Sequence, residues 1–216
     1  AAAASTLGIV DQLVFQLPSG VRDADVARLY IMERNSAGDE SARPLLASQV
    51  QPLRDGVPGF EEFGAFGSTL METGLGASAD QIRVGGATPS LFRMLGARVT
   101  LGRWIDEADD VRPQGARVAV LSHGYWQRRF GGDPGVLGQA VDLGRSPHTV
   151  IGVAEPGFRG LELDATDVWI PFATMAAHFG GEDWPTANMG ITWAWPVVKL
   201  HADAGPAAVR ERALGA

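Results

Sequence analysis

The chain reads ARVAVLSHGYWQRRFGGDPGVLGQAVDLGRSPHTVIGVAEPGF from Ala116 to Phe158. This stretch predicts a strand, a capped helix, a short second helix and a β-hairpin. Ser122 is a good N-cap for a helix over residues 123–130, and Gly131 suits the left-handed conformation that ends many helices. Almost no residue type here is suited to catalysis, whereas the apolar residues and glycines occupy positions that the architecture needs. The pattern favours a structural or coupling module over an enzyme.

The second half of this stretch contains turn signals. Asp133-Pro134 predicts a short helix, because the pair combines a capping side chain with proline at the first helical position. Residues 139–143 and 148–154 predict the two strands of a hairpin across Gly144-Arg145-Ser146.

Towards the N-terminus, residues 26–33 alternate as a strand does, and residues 35–41 form a polar loop. Apolar residues between 45 and 66 recur at spacings of three and four, which predicts a helix. That helix should break near residues 56–58 and restart before Phe60, because Gly56 and Pro58 interrupt it.

Two strands, 68–74 and 81–85, should follow around a turn. Thr88 as N-cap, Pro89 at the first helical position and Gly96 as terminator then predict a short helix.

The last part of the chain predicts a strand over 167–171, a loop over 180–189, a strand over 191–200 and an amphipathic helix over 204–214. The order is mixed α+β, with a βα element at each end and a β-rich middle.

The formal net charge is −7, from 18 basic and 25 acidic residues. This balance argues against a nucleic-acid partner, which would favour a basic stripe. The chain has no cysteine, so disulfides and thiol chemistry are excluded. No apolar run reaches the roughly 18 residues of a transmembrane helix.

The N-terminus, AAAASTLGIV, is apolar and begins without an initiator methionine. It predicts either a processed or trimmed end, such as a signal-peptide remnant, or the outer end of a transmembrane helix. Residues 210–216 stop inside a predicted helix, so we expect the chain to be part of a longer one.

Catalytic motifs are absent from the sequence, including G-x-S-x-G, H-E-x-x-H and the Walker A pattern. Residues 74–79, GLGASA, loosely match a dinucleotide fingerprint, but that fingerprint needs a following helix, and a strand is predicted there. We expect a β-turn.

Candidate metal ligands are few and scattered. An acidic cluster could attract a hard cation but is more typical of a solvated turn; it consists of Asp106, Glu107, Asp109 and Asp110. The four histidines have no ligand spacing; they are His123, His148, His178 and His201. We therefore predict no catalytic, cofactor-binding or metal-binding residue.

Six tryptophans are many for this length, and core packing is the favoured explanation. Trp126 shares a helix face with Phe130, which we expect to be buried. Trp184, Trp193 and Trp195 are candidates for a partner contact, and Trp184, in a polar loop, is expected to be the most exposed.

Three blocks resemble a known family: residues 84–103, with VGGATPSLFRMLG and LGR; residues 118–134, VAVLSHGYWQRRFGGDP; and residues 149–160. The chain resembles the periplasmic core domain of MacB/FtsX-type ABC transporter permeases, in particular the acidobacterial-type permease group. Gly85-Gly86-Ala87 departs from the usual Ser-Gly-Asn, and Gly144-Arg145-Ser146 from the usual Asn-Gly turn.

The resemblance implies a porter-like α/β subdomain formed by both chain ends, with an inserted β-rich Sabre-like subdomain. The implied parts are the end of the first transmembrane helix and a linker (1–20), the porter-like part (21–96 and 188–216) and the insertion (97–187). The domain would lie on the extracytoplasmic side of a bacterial cytoplasmic membrane.

The implied function is non-enzymatic coupling of ATP-driven movement to export or to extracytoplasmic partners. No cofactor is expected in this domain, because a separate ATPase would hydrolyse ATP. Implied partners are the parent chain's transmembrane helices, an ABC ATPase subunit, a second copy and a periplasmic adaptor. Two alternatives stay open: a ligand- or partner-binding sensor without transport, and a hydrolase that uses the acidic cluster with His123.

Overall fold

The computed structural model describes residues 12–16, 26–34, 39–56, 60–74, 80–144, 146–161, 165–185 and 192–201. The described strands are β1 (Gln12–Gln16), β2 (Val26–Arg34), β3 (Glu40–Arg43), β4 (Leu45–Leu46), β5 (Phe60–Thr73), β6 (Asp80–Ala87), β7 (Val99–Gly102), β8 (Val118–Leu121), β9 (Ala140–Leu143), β10 (Ser146–Ala154), β11 (Val168–Pro171) and β12 (Thr192–Leu200). The described α-helices are α1 (Ala47–Gly56), α2 (Pro89–Met94), α3 (His123–Phe130) and α4 (Phe172–Gly180), and a 3₁₀ turn covers Pro134–Val136.

The strands form one mixed sheet with the order β1-β2-β12-β5-β6-β11-β8-β10-β7. Strand β12 lies between β2 and β5, antiparallel to both, so strands from the two ends of the chain lie side by side. Strands β7 to β11 occupy the other half. This confirms the mixed α+β class, with both ends contributing to one region, while the boundaries at 97 and 187 stay predictions.

Two paired glycines leave room for close packing over the middle of the sheet, Gly67 for Trp193 and Gly86 for α4. Gly67 on β5 pairs with Gly86 on β6. A Cβ on Gly67 would lie 2.4 Å from the Trp193 ring, and one on Gly86 would lie 2.4 Å from the Cβ of Met175 on α4. Glycine is therefore required at both positions, because any side chain would push these groups off the sheet.

The predicted helix over residues 45–66 is only partly correct. Helix α1 covers its middle, but Phe60, Phe63 and Phe66 belong to the 14-residue strand β5. Residues 63–67 are all buried, because this strand is covered on both faces. A strand buried on both faces loses the alternation that distinguishes it from a helix, so the spacing of its aromatic residues was misleading.

Several elements were not predicted. Strand β1 falls within the span assigned to a membrane helix end and linker, of which residues 1–11 and 17–20 lie outside the described residues. Helix α4 was missed, as were β3 and β7. The helix predicted over 204–214 also lies outside the described residues. No helix in the described part of the chain is long and apolar enough to cross a membrane.

The local predictions between residues 117 and 154 are confirmed except at the hairpin turn, where β10 begins at Ser146 and not at His148. The Ser122 hydroxyl accepts a hydrogen bond from the Tyr125 amide at 3.1 Å, and Gly131 ends α3 with φ of 62°. Strands β9 and β10 pair antiparallel across the predicted turn. The Gly144 amide in that turn donates to the Glu72 carbonyl at 2.8 Å, which ties the hairpin to the end of β5.

Candidate functional site

Residues 103–117, here called the bridging segment, connect β7 to β8 without forming a helix or a strand. Its side chains and carbonyls contact α1, α2, α4 and the turn after α4. The bridging segment therefore connects α1 and α2, which both contact β5, with α4, which contacts β6 and β11.

The acidic cluster lies near the start of this segment, in a turn whose side chains bond to residues of the same turn. Arg103 donates two hydrogen bonds to the buried Asp109 carboxylate, at 2.5 and 3.0 Å. The Asp106 amide donates to Asp109 Oδ2 at 3.0 Å, and Asp106 Oδ1 accepts from the Ala108 amide at 3.0 Å. The Arg103 hydrogen bonds hold the pKa of Asp109 below its usual range. These carboxylates stabilise the turn through hydrogen bonds within it. Among the described residues, no group of three or more potential ligands could hold a metal ion.

The middle of the bridging segment is attached to the start of α4. Asp110 Oδ1 accepts a hydrogen bond from the Ala173 amide at 2.7 Å. The Thr174 hydroxyl donates to the Ala116 carbonyl at 2.9 Å. Asp110 satisfies a first-turn amide of α4, which the residue before the helix, Pro171, cannot do with its side chain.

The expectation that Trp184 is exposed is wrong. Its side chain is 3% exposed, and its indole Nε1 donates to the Pro113 carbonyl. The Arg112 guanidinium lies over the Trp184 ring, 5.4 Å from its centroid, and Phe172 meets it edge-on at 6.2 Å. Trp184 anchors the bridging segment, because a buried indole needs an acceptor for its N–H and finds it there.

The other side of the bridging segment reaches α1 and α2. Arg112 Nη2 donates to Gln51 Oε1 on α1 at 3.0 Å. Arg93 on α2 forms an ion pair with Glu107 and lies 3.8 Å from Glu62 on β5. The Arg93 hydrogen bond lowers the pKa of Glu107.

A cleft of about 890 Å³ opens between α1, the start of β5, the start of α2 and the bridging segment. Its charged lining comprises five carboxylates and three guanidinium groups: Asp55, Glu61, Glu62, Glu107, Asp110, Arg54, Arg93 and Arg112. Cavities of this size hold small ligands in many proteins, although such sites are usually more apolar.

Asp110 is the unusual carboxylate of this cleft. Burial raises the pKa of Asp110 to about 7, and the charges of Asp109 and Glu107 contribute to the increase. The Ala173 amide and Arg112 favour the ionised form but do not offset burial. Among the described residues, no arginine, lysine or histidine forms an ion pair with Asp110.

Two of the candidate histidines have structural surroundings, and residues 75–79 of the glycine motif lie outside the described residues. His123 packs edge-on against Trp126 at 5.4 Å. His148 is buried, its Nδ1 lies 2.9 Å from the Ser146 carbonyl oxygen, and burial lowers its pKa. Strand β6, and not a helix, follows residues 74–79, so a pyrophosphate would find no helix N-terminus there.

The two remaining candidate tryptophans do not form one surface. Trp193 stacks on Phe172 at 4.7 Å and lies over Gly67, on the α4 side of the sheet. Trp195 packs with Phe66 and meets Tyr30 edge-on at 5.7 Å. Both side chains are partly buried, and their role in a partner contact stays a prediction.

The bridging segment was not predicted as a unit. Asp110 was one member of a predicted acidic turn, and nothing in the sequence connects it with Ala173, 63 residues away. A prediction of α4 would have pointed to such a contact. A helix preceded by proline has no capping side chain at that position, so its first amides need an acceptor from elsewhere in the chain.

The sequence model of the MacB-like periplasmic core domain matches residues 1–215. The chain belongs to this family. The MacB-like assignment confirms the resemblance carried by the three sequence blocks and makes the chain a domain of a transporter permease.

Curated relatives of this MacB-like chain are much longer. The macrolide export ATP-binding/permease protein MacB of Shewanella oneidensis is 29% identical over 146 residues, which are 65% of this chain and 22% of that protein. MacB of Chromobacterium violaceum is 27% identical over 175 residues, 76% of this chain and 25% of that protein. The probable syringafactin export ATP-binding/permease protein SyfD of Pseudomonas syringae is 34% identical over 100 residues, 46% and 15% of the two chains.

Solved structures show the same fold. The extracellular domain of the noncanonic ABC-type transporter YknZ from Gram-positive bacteria matches with a TM-score of 0.64 and 17% identity, over 85% of this chain and 88% of that chain. The periplasmic region of MacB from Actinobacillus actinomycetemcomitans matches with a TM-score of 0.61 and 16% identity, over 99% and 86%.

Proposed function

We propose that this chain is the extracytoplasmic domain of an ABC permease and that it transmits ATP-driven movement from the membrane to export or to extracytoplasmic partners. The observation that carries the proposal is the family match over residues 1–215. The names of the relatives, which describe ATP-binding export permeases, support it. ATP would be hydrolysed by a separate cytoplasmic ATPase domain or subunit, and this domain would not act as an enzyme.

The architecture suits a part that moves as one body. Strands from both ends of the chain share one sheet, and the bridging segment ties α1, α2 and α4 together. Close-packed interiors transmit force because they do not deform continuously. Partners would be the transmembrane helices of the parent chain, the ATPase, a second copy of the permease and a periplasmic adaptor.

Distances between spin labels in the full-length permease with its ATPase test this proposal. A label at Asp142→Cys in each copy of a homodimer should report a distance that changes when ATP is trapped. A pair of labels at Asp55→Cys and Asp142→Cys within one copy should keep a constant distance, since both positions belong to the same rigid body. Both positions are exposed and can therefore be labelled. The 216-residue chain has no cysteine, so within this domain only the introduced positions would be labelled.

A flexible Gly-Ser insertion between this domain and the membrane helix should abolish the ATP-driven change while ATP hydrolysis continues. The same insertion at the exposed Pro156-Gly157 turn is the control and should leave the change intact. If the distance between copies does not change when ATP is trapped, mechanical coupling is contradicted.

A second candidate function is a ligand- or partner-binding sensor without transport. The cleft of about 890 Å³ favours it, because it could admit a small molecule. A sensor would show no ATP-driven change in the distance between copies, so the same measurement separates the two functions.

A further inference from the structure

We propose that a small cavity between the end of α4, the β9–β10 hairpin and the bridging segment binds a small apolar amino acid. In this site Arg117 receives the ligand's carboxylate and Glu182 receives its ammonium group. The cavity has a volume of about 230 Å³, and no described residue lines both it and the larger cleft beside α1. The inference depends neither on that cleft nor on the proposed transport function.

The buried part of the cavity lining is mostly apolar. Met71 of β5, Leu143 of β9 and Ile170 of β11 line it, and each of them is at most 6% exposed. Ala177 of α4 also lines it. A volume of about 230 Å³ lies below the roughly 300–1,000 Å³ of pockets for drug-sized molecules, so the occupant must be small. The apolar wall favours a ligand with a hydrocarbon side chain.

The exposed part of the lining carries two opposite charges that do not pair with each other. Arg117 and Glu182 both line the cavity, and both are exposed. Within the described residues neither of them forms an ion pair. Glu182 accepts a hydrogen bond from the Gln114 side-chain amide, which is neutral. A ligand with both a carboxylate and an ammonium group supplies a charged partner for each side chain.

His148 adds a buried hydrogen-bond acceptor to the lining. The residue is 4% exposed, and its Nδ1 lies 2.9 Å from the Ser146 carbonyl oxygen. Because a carbonyl can only accept, Nδ1 carries the proton, and the neutral ring has its lone pair at Nε2. Burial lowers the pKa of His148, which favours the neutral ring. Nε2 has no hydrogen-bond partner among the described residues, and a ligand N–H is the kind of group that satisfies it.

The charges around the cavity favour a zwitterion over a simple anion or cation. His178 of α4 also lines the cavity, and the charges of Arg117 and His178 both lower the pKa of His148. Asp142 on β9 acts on that pKa in the opposite direction. When the histidines are neutral, Arg117 and Glu182 give the lining one positive and one negative charge. An anion or a cation alone would pair with one of them and leave the other without a partner.

Titration of the 216-residue chain with L-leucine, followed by amide ¹H–¹⁵N shifts, tests the site. L-Leucine should cause saturable shifts at the amides of the lining residues Gly115, Thr174 and Gly181. Isocaproate has the same hydrocarbon chain without the ammonium group, and isoamylamine has it without the carboxylate. Each analogue should bind about tenfold more weakly than L-leucine, because each loses one charged contact.

Two variants separate the two charged contacts. Arg117→Gln should weaken binding of L-leucine about tenfold and leave binding of isoamylamine unchanged. Glu182→Gln should weaken binding of L-leucine by a similar factor and leave binding of isocaproate unchanged. Both side chains are exposed, so neither substitution removes core packing. Arg129→Gln, on the exposed part of α3 and outside the lining, is the matched control and should bind L-leucine as the wild type does.

The imidazole ¹⁵N shifts of His148 give a second readout. The Nε2 shift should move when L-leucine is added and stay constant when isocaproate is added, because only L-leucine brings an N–H donor. His123, which lies outside the lining, is the reference.

Three results would overturn the proposal. The first is the absence of saturable shifts at the lining residues with L-leucine, L-valine and L-alanine. The second is an equal affinity for L-leucine and either analogue, which would mean that the site does not recognise a zwitterion. The third is a response to L-leucine at the cleft beside α1 and not at this cavity.

Discussion

Trp193 and Trp195 are two residues apart on one strand, yet their side chains lie on opposite faces of the sheet. Trp193 lies over Gly67, whereas Trp195 packs with Phe66, the preceding residue of β5, and neighbouring residues of a strand point to opposite faces. The register of β12 against β4 shifts between Thr192 and Ala194, so Trp193 is the extra residue of a β-bulge. The bulge turns Trp193 towards α4 and leaves Trp195 as the better candidate for a partner contact.

Replacing Gly67 with alanine should destabilise the domain. The new Cβ would lie 2.2 Å from the Trp193 carbonyl oxygen and 2.4 Å from its ring, so β12 would have to move. We expect a loss of about 1–3 kcal/mol in the free energy of unfolding, measured by urea denaturation. Gly56→Ala is the control, since nothing lies within 4 Å of a Cβ there, and its stability should be unchanged or slightly higher. Equal stability of the two variants would contradict the packing described for Trp193.

Replacing Asp109 with asparagine should weaken the turn that begins the bridging segment. The variant loses the charged hydrogen bonds from Arg103, and we expect a loss of about 1.5–3 kcal/mol at pH 7. Because the folded state lowers the pKa of Asp109, its contribution is present above the ordinary aspartate pKa and disappears as the pH falls through the lowered value. Denaturation of both proteins between pH 2 and pH 7 checks the trend, with Asp142→Asn as a control that should show no such loss.

Replacing Trp184 with phenylalanine should destabilise the attachment of the bridging segment. The Pro113 carbonyl loses its donor and Arg112 loses part of the ring beneath it. We expect a loss of about 1–3 kcal/mol in the free energy of unfolding. Trp195→Phe should cost less, because Trp195 is only partly buried and makes no side-chain hydrogen bond within the described residues. A larger loss in the free energy of unfolding for Trp195→Phe than for Trp184→Phe would contradict the role of Trp184 in attaching the bridging segment.

His148 should make the domain less stable in acid. Burial lowers the pKa of His148 in the folded state, so the unfolded chain takes up a proton first. Its contribution to stability is therefore complete above the ordinary histidine pKa, about 6.5, and is lost as the pH falls towards the lowered value. His148→Gln should reduce the slope of stability against pH between 5 and 6.5, whereas His201→Gln, at an exposed residue, should not. An unchanged slope in His148→Gln would contradict this.

Much of the fold was predictable where the signals were local. The N-cap at Ser122, the left-handed Gly131 and the hairpin of β9 and β10 were predicted correctly, because each depends on hydrogen bonds between residues close in sequence. The error at residues 60–66 has the opposite cause. Residues 63–67 of β5 are buried on both faces, and burial on both faces removes the alternating pattern that would have identified this part of the strand.

The candidate site was less predictable. The sequence indicated an acidic turn and no catalytic centre, and the described residues agree about the turn. It could not show that Asp110 would be bonded to Ala173, or that Trp184 would be covered by Pro113 and Arg112. Those contacts join positions 63 and 71 residues apart.

The sequence by itself determined the family, the mixed α+β class and the local caps and turns around residues 116–158, because short-range hydrogen bonding and glycine conformation encode them. Only the tertiary structure decided which tryptophans are covered and which carboxylate accepts the Ala173 amide. Burial and charge environment are properties of the neighbours that folding brings together, and those neighbours are distant in the sequence.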